Sequence, residues 1–314
     1  MDLHDDTALQ PIGLVCRRTG LKPDLIRAWE RRYKAVEPQR TGGKHRLYSE
    51  EDVERLRLLG ALTDAGHSIS RIAPLEDDQL RALVGELELD SETKPAPADG
   101  AGSDADEHLR HCMEAIEALD RVRLEYELER AAVDLNRFHL LEKLLVPLMQ
   151  RIGDRWLRGE LRPIHEHMAT ATVRSFVGNL HNAYRAPGSA PHLIVTTPTG
   201  QLHELGALVA ACAAAAEGWN VTYLGPDLPA EEIVAAARQR RARAILLSIV
   251  YPPDDAHVSS EIRRLARHLD AGIPIFVGGR AAAGYIAALE EAGALLTEDL
   301  GDLRRELAEL RQGP

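Results

Sequence analysis

"HLIVTTPTGQLHELGALVAACAAAA", residues 192–216, sets a short apolar run, a loop with a single histidine and an alanine-rich stretch in direct succession. The run reads as a buried strand and the alanines as a helix, with Pro198 and Gly200 marking the turn between them. The same unit recurs downstream at "NVTYLG", "AILLSIVY", "PIFVGG" and, more weakly, "ALLTE", each followed by a helical stretch. Five such units predict a doubly wound, five-stranded parallel sheet over residues 188–314, whose ligands bind beyond the carboxyl ends of the strands. His203 falls in the loop after the first strand, at that edge. A histidine in such a loop is by default a cap or loop residue, and three neighbours argue for a ligand instead. Gly206 permits close backbone approach of a large planar group. The third strand ends in "LLSIVYPP", which offers Ser248 at the same sheet edge, and the fourth ends in "FVGG", where Gly278 and Gly279 leave a slot without side chains.

Outward from the sheet the pattern changes period. Apolar residues recur three and four apart in "HLRHCMEAIEALD", "LEYELERAAVDL", "FHLLEKLLVPLMQRIGDRWLRG" and "EHMATATVRSFVGNLHNAY", which predicts a four-helix bundle over 107–187. Before it, "SETKPAPADGAGSDAD" has no apolar period and is rich in Pro, Gly, Ala, Ser and Asp, so residues 81–106 are assigned to a flexible linker. Residues 1–80 make up the remaining module, and a chain of 314 residues has room for all of these units. The three cysteines, Cys16, Cys112 and Cys212, are far apart and form no CxxC pair, which argues against a zinc site and for a reducing compartment. The start "MDLHDDTALQ" is acidic where a signal peptide is basic, and "LGALVAACAAAA" is too short to span a bilayer, so a soluble cytoplasmic protein without membrane attachment is expected.

Charge is unevenly distributed. The chain carries a net −11, yet residues 14–57 hold twelve Lys/Arg against seven Asp/Glu. Within that segment "IGLVCRRTG" and "KPDLIRAWERRY" predict a helix-turn-helix, and "PQRTGGKHRLYS" predicts a small hairpin turning at Gly42 and Gly43. Ser49 then caps a helix with acids in its first turn. Arg27, Arg31 and Arg32 fall on or near one helical face, and Arg40, Lys44 and Arg46 follow in the hairpin, a cation set suited to phosphates and base edges of duplex DNA. "WERRY" followed by "PQRTGGKHRLYSEEDVERL" closely resembles the winged helix-turn-helix of the MerR family of transcription regulators over residues 10–75. The resemblance implies that Arg27 and Arg31 work in or beside the groove, that Arg40, His45, Arg46 and Tyr48 belong to the wing, and that Trp29 is core.

Histidine, serine and paired glycines at successive strand ends resemble the cobalamin-binding Rossmann-like (flavodoxin-like) domain, whose pattern is D/E-x-H-x-x-G, S-x-L/V and G-G. The match lies on Gln201, His203, Gly206, Ser248, Val250, Gly278 and Gly279. In that family the histidine is the lower axial ligand to cobalt and the displaced nucleotide tail threads beside the serine and glycines. Here Gln201 replaces the carboxylate; its amide oxygen is expected to accept the second imidazole N–H without charge, for weaker donation to cobalt. In the bundle, Trp156, Glu166 and His167 resemble the W-x9-E-H motif of B12-dependent photoreceptor repressors of the CarH and LitR type. There the motif encloses the upper adenosyl group. Light-sensing members carry a histidine directly after that Trp, which captures cobalt after photolysis; this chain has Leu157, and His165 is the candidate replacement, with a surface role as its competing reading.

The resemblance implies a cobalamin-controlled repressor and no enzyme. Adenosylcobalamin is the preferred cofactor, with methylcobalamin as an alternative. It would promote a homotetramer built from dimers on operator DNA, and light would release it. Joint engagement of neighbouring sites makes occupancy depend on assembly. Competing readings are a light-independent sensor of B12 or another tetrapyrrole, a corrinoid methyl-transfer module, and a regulator that works without cofactor.

Overall fold

In the computed structural model, which describes residues 9–40, 46–65, 67–90, 99–182 and 188–312, the chain divides between Ile152 and Gly153 into two units. The first begins with β1 (Gln10–Pro11), α1 (Ile12–Thr19) and α2 (Pro23–Tyr33), followed by β2 (Gln39–Arg40), β3 (Arg46–Tyr48) and α3 (Glu50–Asp64). Gly20 terminates α1 in the left-handed region and Pro23 opens α2, as the sequence predicts. β3 pairs antiparallel with both β1 and β2, which forms the base of the expected wing. Its tip, with Lys44 and His45, lies outside the described residues. At α3 the predicted cap is present and reciprocal: Ser49 Oγ accepts the Asp52 N–H at 3.1 Å, and Asp52 Oδ2 accepts the Ser49 N–H at 2.9 Å.

The unit continues through α4 (Ile69–Ile72), α5 (Asp77–Asp90), α6 (Asp99–Glu117), α7 (Arg121–Asp134), α8 (Arg137–His139), a π-helical segment at Leu140–Leu145 and α9 (Val146–Leu157). Helix therefore occupies most of the expected linker, α5 from the front and α6 from the back, and residues 91–98 lie outside the described residues. The reason is apolar: Leu80, with Leu83 and Val84 beside it, packs on the core of Ile26, Trp29, Tyr48, Leu56, Leu59 and Ile69. Val133 of α7 packs on the same core, so the helices after residue 106 join the N-terminal module, and no division falls at the expected boundary.

One arginine holds the connections of this unit together. Arg55 Nε donates to the Ala35 carbonyl at 2.7 Å, Nη2 to those of Ala73 at 2.7 Å and Leu75 at 2.9 Å, and Nη1 pairs with Asp77. Part of the basic character of residues 14–57 is thus internal. Arg55→Leu should lower the unfolding free energy of the chain by about 2–4 kcal/mol, because carbonyls sealed by the guanidinium lose their donor. Chemical denaturation measures it, and a loss under about 0.5 kcal/mol would contradict the assignment.

The second unit holds the end of α9 and α10 (Pro163–Asn182), then β4 (His192–Thr196), α11 (Leu205–Ala216), β5 (Asn220–Tyr223), α12 (Ala230–Arg240), β6 (Ala244–Ser248), α13 (Ala256–His268), β7 (Ile275–Gly278), α14 (Ile286–Ala292), β8 (Leu295–Leu296) and α15 (Leu300–Gln312). The sheet is five-stranded and wholly parallel in the order β5-β4-β6-β7-β8, the predicted architecture. Apolar clusters cover both faces: Ile245, Leu247, Val277 and Ile262 on one, Leu193, Val195, Leu246, Phe276 and Trp219 on the other. The chain leaves β6 at Ser248, three residues before the predicted end. Among the described residues no helix is long and apolar enough to cross a membrane.

Candidate cofactor and DNA sites

The connections from β4 and β6 run to opposite sides of the sheet, so a crevice is expected between the carboxyl ends of these two strands. The sequence-predicted residues meet there. Gln201 is fully buried, and its Oε1 accepts the backbone N–H groups of Val250 at 3.0 Å and Tyr251 at 3.3 Å. These bonds engage residues 250 and 251 just beyond Ile249, whose own N–H still donates to the Gly278 carbonyl at 2.9 Å. They also correct the expected role of the amide oxygen, which is engaged across the crevice rather than held for the imidazole of His203. His203 itself is exposed, and its ring meets that of Tyr251 edge-on, centroids 6.4 Å apart at 77°.

Close protein neighbours explain why these positions are glycines. A Cβ on Gly206 would stand 2.8 Å from Ser248 Oγ, so this glycine admits the serine. Gly279 has φ +103°, and a Cβ there would stand 2.5 Å from the Ile249 carbonyl oxygen. A Cβ on Gly278 would stand 2.8 Å from Thr297 Oγ1, while Gly279 itself is exposed. The unfilled chemistry lies elsewhere. Ser248 Oγ, Gln201 Nε2 and Thr199 Oγ1 are all sealed from solvent and have no hydrogen-bond partner. Orphaned polar groups of this kind are rare inside proteins, and three in neighbouring loops at one sheet edge match a ligand bearing hydrogen-bonding groups.

Two ion pairs tie helices of this unit to the crevice loops. Arg174 of α10 pairs with Glu204, the residue after His203, at 2.5 Å, and Glu204 also accepts the Tyr223 hydroxyl at 2.5 Å. Burial, reinforced by that bond, pushes the Tyr223 hydroxyl far above its ordinary range, so it stays protonated. Arg280, the residue after the glycine pair, meets Asp154 of α9 at 2.7 Å. Sequence reasoning missed Arg174, Glu204, Arg280 and Asp154; only adjacency to His203 and to the glycine pair marked two of them. Asp154 lies two and three residues before Trp156 and Leu157, which are 46% and 66% exposed and available to a ligand or partner. At the start of α10, Glu166 accepts the Thr170 hydroxyl at 2.7 Å, and the exposed His167 lies 4.0 Å from Glu166. His165 Nδ1 accepts the Arg162 N–H at 3.0 Å, a cap on the N-terminus of α10 that supports the surface reading of this residue.

In the first unit Arg27 and Arg31 are exposed on α2, four residues apart on one face. Arg32 is half-buried with Nη1 sealed from solvent, off that face. Arg40 and Arg46 converge on Glu30 at 3.8 and 2.6 Å, fixing the wing base to α2. Tyr48 corrects the prediction: it is fully buried in the core because the third position of β3 points inward, and it is withdrawn from the DNA-contacting set.

A winged helix-turn-helix and, in the other unit, a parallel sheet with a histidine loop at its switch point mark the class of DNA-binding regulators that carry a ligand-binding domain. Family models agree segment by segment: a MerR HTH family regulatory protein over residues 11–79, and B12 binding domains over 109–181 and 191–298. The chain is 32% identical to the HTH-type transcriptional repressor CarH of Myxococcus xanthus over 89% of its length and 91% of that protein's. To the HTH-type transcriptional repressor CarA of the same organism it is 28% identical, over 93% and 94%. The monomethylamine corrinoid protein of Methanosarcina barkeri matches 65% of this chain and 99% of its own with TM-score 0.54 at 18% identity, which shows a shared fold. The chain belongs to the family of MerR-type regulators with B12-binding domains that includes CarH and CarA.

The orphaned hydroxyl of Ser248 can be tested without ligand. Ser248→Ala removes a group with no partner, so the thermal stability of the ligand-free chain should be unchanged or rise by up to about 1 kcal/mol. A fall larger than that in calorimetry would mean that the hydroxyl is bonded.

Proposed function

We propose that this protein is a transcriptional repressor whose hold on operator DNA is set by a cobalamin bound at the carboxyl edge of the second unit, with adenosylcobalamin as the preferred form. The observation that carries the reading is the group of sealed, unpartnered polar atoms on Ser248, Gln201 and Thr199 beside the exposed His203. The donor chemistry fits. Two hydroxyls and an amide NH2 suit a nucleotide tail bearing phosphate and hydroxyl oxygens, and an imidazole in an exposed loop suits an axial position on cobalt. Among the described residues no three His, Cys, Asp or Glu side chains form a metal cluster, so His203 would be the lone protein ligand on that face, the macrocycle supplying the rest. Trp156, Glu166 and His167 would enclose the upper group. Arg174 and Arg280 hold α10 and the end of α9 to the two loops that such a cofactor would touch.

Bound adenosylcobalamin supplies a Co–C bond that green light cleaves. What this chain does afterwards depends on its own side chains. Leu157 has no atom that can ligate cobalt, and the Nδ1 of His165 is engaged in a helix cap. Capture by a second histidine would have to use the Nε2 of His165; without it, Trp156 would lose a packing partner when the upper group leaves, and the helices would loosen and favour smaller assemblies. Linked readers then lose joint engagement of neighbouring operator sites. Leu157 also favours a second reading, a light-independent sensor of B12.

Reconstitution with adenosylcobalamin in the dark, followed by absorption spectra and size-exclusion elution before and after green light, tests both readings. A bound corrinoid is expected, with a light-driven spectral change accompanied by a smaller assembly. His203→Ala should weaken corrinoid binding by at least roughly a hundredfold, beyond the loss typical of an outer partner. Light-invariant assembly with bound corrinoid selects the second reading, and no uptake by the unsubstituted chain contradicts both.

A further inference from the structure

The back of α2 is joined to the helices beyond it by a buried polar junction. Trp29 and Tyr33 lie four residues apart on one face of α2; Trp29 Nε1 donates to the Val133 carbonyl at 3.3 Å, and the Tyr33 hydroxyl donates to Asp134 Oδ1. Asp134 ends α7 and is buried, and its Oδ2 lies 3.2 Å from His108 Nε2 of α6 and 3.5 Å from Arg130 Nε. His108 is buried as well, with Glu127 of α7 lying 3.8 Å from its Nδ1. Burial and then the bond to Asp134 push the Tyr33 hydroxyl well above its ordinary range, so the proton remains in the junction. Flanking contacts repeat the connection: Arg71 of α4 meets Asp104 of α6 at 3.2 Å, and Asn136 Nδ2 donates to the Asp64 carbonyl at 3.5 Å.

Helix geometry gives this junction a direction. Residues two apart on a helix are separated by about 200°, so Arg27 and Arg31 point away from the face that carries Trp29 and Tyr33. The cationic face is exposed while the opposite face is fixed. A surface loop contact would leave α2 free to tilt. A buried carboxylate held by a tyrosine, a histidine and an arginine does not, because moving any partner leaves charge or a donor sealed without compensation.

We propose that Asp134 and His108 are positioning residues for DNA reading: they lock the back of α2 to α6 and α7, so that a displacement of these helices is transmitted to Arg27 and Arg31 through Tyr33. The inference rests on the repressor reading for its consequence, and on the junction alone for its mechanics. It assigns to the helices a role beyond enclosing a cofactor, since the position of α7 sets the position of the reader.

The test uses the full chain and a DNA duplex selected by the unsubstituted protein from a random-sequence pool. Tyr33→Phe keeps the ring and removes the hydroxyl; Asp134→Ala removes the acceptor; Asp134→Asn keeps an oxygen for the hydroxyl. Tyr33→Phe and Asp134→Ala should each weaken duplex binding roughly tenfold, the double variant should weaken it no further, and Asp134→Asn should recover most of the loss. Hydrogen exchange should rise in residues 23–33 of the weakened variants and stay unchanged in residues 192–248. Unchanged affinity and exchange in Tyr33→Phe, or additive losses in the double variant, overturns the proposal. If Asp134→Ala loses protection throughout its unit, Tyr33→Phe decides alone by the same criteria. If the unsubstituted chain selects no duplex, the repressor reading fails, and the exchange of residues 23–33 in Tyr33→Phe still upholds or overturns the lock.

Discussion

Gln201 reaches from the loop after β4 to the loop after β6 and takes the N–H groups of Val250 and Tyr251 on one amide oxygen. Both acceptor positions of that oxygen are filled, so the two loops move as one piece. His203 follows two residues later on the first loop, and Ser248 precedes Val250 by two on the second. The orientation of the amide also follows: with oxygen toward two donors, its NH2 points away, sealed and without an acceptor. A carboxylate at this position would satisfy the same N–H groups and present a second oxygen. The amide presents a donor, and this makes the crevice a place that welcomes acceptor oxygens.

Around this bridge the unit is organised by charge pairs that arrive from helices. Arg174 holds the Glu204 side of the histidine loop, and Arg280 holds Asp154 beside the glycine pair. Each arginine is partly exposed, and pairs of this kind contribute little to folding. Their value is geometric, because they fix which side of α10 and which turn of α9 face the loops. In the other unit a comparable role falls to Asp134, buried among Tyr33, His108 and Arg130. The arginines at the crevice loops are therefore partly exposed, whereas Asp134 and His108 are buried.

Much of this architecture is legible in residue order. Strand-helix alternation gives the parallel sheet, Ser49 gives the cap on α3, and His203, Ser248 and the glycines arrive at one sheet edge as predicted. What could not be read is what depends on three-dimensional neighbours. Tyr48 lies in a segment full of cations, yet the pleat of β3 turns it into the core. Gly206 is explained by Ser248, forty-two residues away, and no local pattern contains that contact. Most of the segment expected to be a linker belongs to helices whose apolar faces, from Leu80 and Leu109 among others, are buried. Composition describes a segment's average, whereas burial depends on one face of it.

The central claim is that the imidazole of His203 holds cobalt from below. The most direct measurement is electron paramagnetic resonance of the chain loaded with cobalamin in its cobalt(II) state, prepared once with ordinary histidine and once with histidine labelled with nitrogen-15. The account predicts superhyperfine triplets in the first sample that become doublets in the second, because the axial nitrogen belongs to the protein. Triplets that persist after labelling would mean that the cofactor's own base remains the lower ligand, and would contradict the assignment of His203.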